Sequence, residues 1–228
     1  MTARIDHLVI AAETLDQGVA WCEKTLGITP GPGGEHPLMG THNRLMRVAT
    51  VDYPRAYAEI IAINPASPNP QPARTGRWFD MDDPALRARI AQDGPQLVHF
   101  VVNVPDVAQA LKDWAALNID RGPALAASRP TPRGLLQWHI TVRDDGQRLF
   151  SGALPTLIEW GDVHPASHMP ESGVTLQSLT VQHPQADLLR AAFTAIGLAG
   201  VQIKQGVPNV CAQLRTPRGA VTLESKGL

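Results

Sequence analysis

The sequence predicts an α+β fold of repeated βαβββ units, with helices on one face of curved, mixed sheets. Three observations lead there. The order strand, helix, then two or three strands recurs along the 228 residues. Strand-like segments alternate between two faces, and the helical segments carry a single apolar stripe. Repeats of mixed elements bury their apolar sides best as helices layered on sheets.

Ile5–Ile10 reads as the opening strand. Thr14 followed by Gln17 forms a capping-box start, Leu15, Val19, Cys22 and Leu26 fall at helical spacing, and Gly27 suits the C-cap. His42–Val48 and Tyr57–Ile63 read as strands, with a shorter one between Ile28 and His36. Asp83 and Pro84 open a linker helix that runs to about Ala91. The order then restarts. Leu97–Val104 is a strand, and Asp106 caps a helix with Val107, Leu111, Trp114 and Leu117 on one stripe. Leu135–Val142 and Thr156–Trp160 complete the second unit. A third, shorter copy begins at Leu176–Val181. Pro184 opens its helix, which carries Leu188, Ala192, Phe193 and Ile196, and three strand-like runs follow from Val201, Val210 and Ala220.

The twenty basic and twenty-one acidic side chains leave a net charge of −1. No basic run marks a nucleic-acid or anionic-membrane surface. Cys22 and Cys211 form no disulfide framework or zinc pattern, which favours a reducing cytoplasm. No apolar run approaches the ~18–20 residues of a membrane helix. The partner expected is therefore a small molecule.

Strand alternation supplies the candidate site. His7 lies opposite the helix-facing Leu8 and Ile10, and His99 lies opposite Val98, Phe100 and Val102. In the closing strands, Glu59 opposes Ala58 and Ile60, and Glu159 opposes Ile158 and Trp160. Each unit so contributes one histidine from its first strand and one glutamate from its last. Two imidazoles and two carboxylates converging on one concavity would suit a first-row metal ion.

The paired units with His and Glu in these slots resemble the vicinal oxygen chelate superfamily. The opening Ile5-Asp-His7-Leu-Val-Ile10 and the stretch Gly40-Thr-His-Asn-Arg-Leu45 look like its glyoxalase-like branch. The resemblance implies paired βαβββ modules, 4–63 and 96–160, closing into a curved mixed-sheet cup within a domain spanning 1–163. Residues 174–228 form the third βαβββ-like unit. It also implies a divalent metal ion (nickel, zinc, manganese or iron) held by His7, Glu59, His99 and Glu159. The expected activity is that of a metal-dependent lyase or isomerase acting through a chelated enediolate, with Glu159 as base. The alternatives are an extradiol-type dioxygenase, whose ferrous site takes two histidines and one carboxylate, and a non-enzymatic small-molecule binder.

Several residues complete the expectation. His42 and Asn43, at a strand start, serve either proton transfer and substrate hydrogen bonding or ordinary turn chemistry. Arg74, Arg77, Trp78 and Phe79 either clamp a substrate or pack over the core. His164 and His168, in a Pro-rich loop, are expected to be solvent-exposed. Ser178 stands in the third unit's histidine slot, so that unit is read as structural. It is expected to pack through its sheet edge or its helix and to join a homodimer contact.

Overall fold

The computed structural model describes residues 2–67, 75–131 and 134–227. Arg74 lies outside them. The first unit comprises β1 (Arg4–Ala11), α1 (Leu15–Thr25), β2 (Gly31–His36), β3 (Thr41–Arg47) and β4 (Tyr57–Ile63). The Thr14 side chain caps α1 by accepting the Gln17 N–H. After α2 (Pro84–Asp93) comes the second unit: β5 (Gln96–Asn103), α3 (Val107–Ala115), β6 (Ala124–Thr131), β7 (Gly134–Thr141) and β8 (Thr156–Trp160).

These strands form one curled half-barrel in the order β2-β3-β4-β1-β5-β8-β7-β6. Each unit closes its own four strands by a parallel pairing, β1 with β4 and β5 with β8. The antiparallel β1–β5 pair then joins the halves. The expected pairing of two modules is therefore the architecture found, and its concave side is the cup.

The C-terminal part keeps the predicted order of elements but pairs them differently. It consists of β9 (Thr175–Gln182), α4 (Ala186–Ala195), β10 (Val201–Lys204), β11 (Asn209–Thr216) and β12 (Gly219–Glu224). Its sheet runs β10-β9-β11-β12, so the first strand lies parallel to the second rather than to the last. It is a βαβ crossover followed by a hairpin. This part packs through its helix, as one of the two expectations had it, and through the apolar face of its sheet rather than a sheet edge. Leu176, Leu179, Val181, Ala212 and Leu214 share one buried cluster with Leu8, Ile10, Phe100 and Val102 of the half-barrel. Trp114 of α3, fully buried, donates its indole N–H to Ala192 O of α4 at 2.8 Å. Among the described residues, no helix is long and apolar enough to cross a membrane.

Candidate functional site

The site begins with an irregularity in β1. Ile5 pairs with Val102 and His7 with Val101, which leaves Asp6 as an extra residue in the strand. Such a bulge breaks the alternation and re-aims side chains. Asp6 is fully buried. Its Oδ1 lies 2.6 Å from His7 Nδ1, and its Oδ2 receives the Trp160 indole N–H at 2.8 Å and lies 2.9 Å from His164 Nε2. Burial alone would raise the Asp6 pKa. The hydrogen bonds from His164 and His7 outweigh burial and hold it well below the usual carboxylate range. His164 is therefore buried and engaged, contrary to the expectation for a loop histidine. Asp6 takes it as a third donor, beside His7 and Trp160.

An ionised carboxylate only accepts, so His7 carries its proton at Nδ1 and turns Nε2 into the cup. His7 Nε2 faces Glu59 Oε2 at 3.6 Å, and the Tyr57 ring stacks on the imidazole at 4.6 Å. Asn43 Nδ2 donates to Glu59 Oε1 at 2.6 Å, and Asn43 Oδ1 accepts the Gly34 N–H at 2.7 Å. This is why residue 33 is glycine: a Cβ there would come within 2.1 Å of Asn43 Oδ1. His36 Nε2 lies 4.0 Å from Glu59 Oε1. Burial lowers the His36 pKa to about 4, against the pull of Glu59, so it stands neutral.

The other half of the cup is arranged differently. His99 is fully buried, donates from Nδ1 to Gly152 O at 3.0 Å and accepts the Thr156 N–H at Nε2 at 3.1 Å. Burial first, then the charges of Arg121 and Arg148, hold its pKa well below that of a free histidine. Both ring nitrogens are used within the protein, and the Phe79 ring lies 5.4 Å away.

Glu159 corrects the sequence reading. Its Oε2 accepts the Val107 N–H at 2.8 Å, at the first turn of α3. The alternation of β8 places Ile158 and Trp160 in the cup, so Glu159 points to the helix layer. Alternation had correctly separated the two faces of β8. Which face was concave could not be read from it, because the second half of the cup is itself apolar.

His42 is also turned away. Asn43 and Leu45 of β3 line the cup, whereas His42 borders a separate cleft with Thr14, Asp16 and Arg87. Arg77 pairs with Asp82, both through its backbone N–H at 2.7 Å and through its guanidinium. Trp78 lines the cup and meets His36 edge-on at 5.0 Å.

His7, Glu59, His99 and Glu159 therefore share no common centre. Among the described residues, no three His, Cys, Asp or Glu side chains gather closely enough to hold a metal ion. The Asn43 amide, a donor, stands between Glu59 and His36, where an ion would need acceptors. The expected ligand set does not fit this arrangement.

His7, His36, Asn43, Glu59 and Trp78 instead border a cavity of about 40 Å³, room for about two or three waters. A cleft of about 320 Å³ shares His36, Trp78, Trp138 and Ile140 with it. Sequence reasoning missed Asp6, His36 and His164. The only signal for Asp6 was its place beside His7.

Residues 5–197 match the model of a family described as a glyoxalase-like domain. A hypothetical protein from Staphylococcus aureus superimposes with a TM-score of 0.58 at 11% identity, over 90% of this chain and 87% of that one. A variant methylmalonyl-CoA epimerase of Streptomyces coelicolor, in complex with 2-nitronate-propionyl-CoA, gives a TM-score of 0.44 at 18% identity. That match covers 72% of this chain and 99% of the epimerase. The methylmalonyl-CoA epimerase of Mycobacterium tuberculosis gives 0.38 at 12% identity, over 69% and 86%. No curated protein sequence matches the chain.

Proposed function

The chain belongs to the glyoxalase-like domain family of the vicinal oxygen chelate superfamily, and from that premise we propose that its cup moves a proton on a small oxygen-rich molecule, as a lyase or isomerase. The observation that carries this reading is the His7 Nε2 to Glu59 Oε2 approach of 3.6 Å inside a buried cavity. A carbon acid beside a carbonyl loses its proton to His7 Nε2. Asp6 stabilises the resulting imidazolium, as a buried carboxylate behind a histidine does. Glu59 takes the proton from Nε2, exchanges it with solvent and delivers a proton at a second position, which completes an isomerisation. Asn43 fixes the Glu59 carboxylate so that its free oxygen faces this exchange. A positioned base of this kind contributes about 10²–10⁴-fold.

Deuterium exchange into small ketones and hydroxyaldehydes, followed by proton NMR, tests the reading. Wild type is expected to exchange the protons next to the carbonyl, with His7→Gln and Glu59→Gln each about 100-fold slower. Equal rates in all three proteins would overturn it.

The apolar wall of Trp138, Ile140, Ile158 and Trp160 favours a second reading, a binding protein that holds a small molecule without transforming it. Saturable binding with no exchange would select that reading.

A further inference from the structure

Building on the proton-transfer reading, we propose that the ligand of the cup is a small 2-oxo acid whose carboxylate is held by Arg129. The inward side of the β6–β7 hairpin is apolar: Leu125 pairs with Ile140, Ala127 with Trp138 and Arg129 with Leu136. Arg129 breaks that wall with a charge and lines the same cavity as His7 and Glu59. Its guanidinium reaches across to β2, where it lies directly over Gly34. A Cβ at Gly34 would sit 1.8 Å from Nη1, so a larger residue there would push the guanidinium aside.

Among the described residues, no carboxylate or other hydrogen-bond acceptor pairs with Arg129. A half-buried guanidinium in an apolar wall, with its fork of donors unspent, matches a planar carboxylate. A second donor independently asks for an oxygen. Trp78, only 7% exposed and lining the same cavity, has a buried indole N–H with no acceptor among the described residues. One carboxylate for Arg129, one carbonyl oxygen for Trp78 and one acidic C–H for His7 and Glu59 together describe a 2-oxo acid. The cavity that Arg129, His7 and Glu59 border is small, so it takes only the shortest acids. The rest of a longer molecule extends past the shared His36, Trp78 and Trp138 into the adjoining cleft of about 320 Å³.

The probes are pyruvate and 2,3-butanedione, which is similar in size and lacks the charge. Tryptophan fluorescence reads binding, because Trp78, Trp138 and Trp160 line the cavity. Proton NMR in deuterium oxide reads methyl exchange on the same samples. Wild type is expected to bind pyruvate about tenfold or more tighter than butanedione. Arg129→Met should erase that preference, and Arg129→Lys should keep part of it, since lysine retains the charge but not the fork. No saturable response to pyruvate, or an unchanged preference in folded Arg129→Met, overturns the anion site. Arg129-dependent pyruvate binding without methyl exchange upholds the anion site and overturns the proton-transfer reading instead. Methyl exchange on butanedione at the same rate in wild type and Arg129→Met, with no pyruvate preference, does the reverse.

Discussion

Thr156 stands in the second half of the cup where Glu59 stands in the first. Glu59 lies beside Val9 in the parallel β1–β4 pair, and Thr156 lies beside Val101 in the parallel β5–β8 pair. Val9 and Val101 each follow their unit's histidine by two residues. The two halves are thus related in backbone and unlike in chemistry. One presents a carboxylate to an oriented imidazole, and the other ties its imidazole to a hydroxyl and a backbone amide.

The first prediction follows for His99. His99→Gln should lower stability by about 1–3 kcal/mol, because Gly152 O and the Thr156 N–H lose buried partners. Urea unfolding measures the loss. Deuterium exchange per folded molecule should stay near wild type, and a stable variant that has lost exchange would contradict the assignment.

Glu159 should behave in the same way for a different reason. Its carboxylate accepts an N–H at the start of α3, a contact worth about 0.5–2 kcal/mol. Glu159→Ala should lower the unfolding free energy measured by urea titration by that amount and leave exchange intact.

Asp6 should act through His7. Asp6→Asn removes the pure acceptor that fixes the Nδ1–H tautomer, so exchange should fall by about 10²–10⁴-fold. Proton NMR of the His7 ring should show the altered tautomer. Exchange at the wild-type rate would mean that His7 is not the base.

Acid should destabilise the fold below neutrality. His36 and His99 have folded pKa values below that of an unfolded histidine, so the unfolded chain protonates first. Their contribution is complete above about pH 6.5 and is lost as the pH falls. For His36 the loss runs down to about pH 4, and it amounts to about 3 kcal/mol. Urea midpoints between pH 7.5 and 4 should fall steeply in wild type and less steeply in His36→Gln.

Much of the fold was legible because its signals are local. The Thr14 and Asp106 caps, the Trp114 stripe and the apolar strands each announce an element, and their recurrence announces the paired modules. Of the candidate residues read from the sequence, His7, Asn43, Glu59, Trp78 and Phe79 are the ones that line the cavity. Asp6 was hidden by the bulge, since strict alternation places it on the helix side. His36 was hidden in a run of glycine and proline, and it becomes a site residue only when β2 pairs with β3. Glu159 was misplaced because two apolar faces flank β8, and alternation cannot rank them. The C-terminal order was read correctly, but strand pairing is a long-range property that the order alone does not fix.

The central claim is that protons move between His7 and Glu59 without the four-ligand centre that the repeat suggested. The most direct measurement is deuterium exchange after exhaustive dialysis against a chelator, with wild type, Glu59→Gln and Glu159→Gln compared side by side. The account predicts full exchange in dialysed wild type and in Glu159→Gln, and about 100-fold loss in Glu59→Gln. Exchange that disappears on dialysis, returns with a divalent ion and is lost equally in both glutamate variants would contradict it.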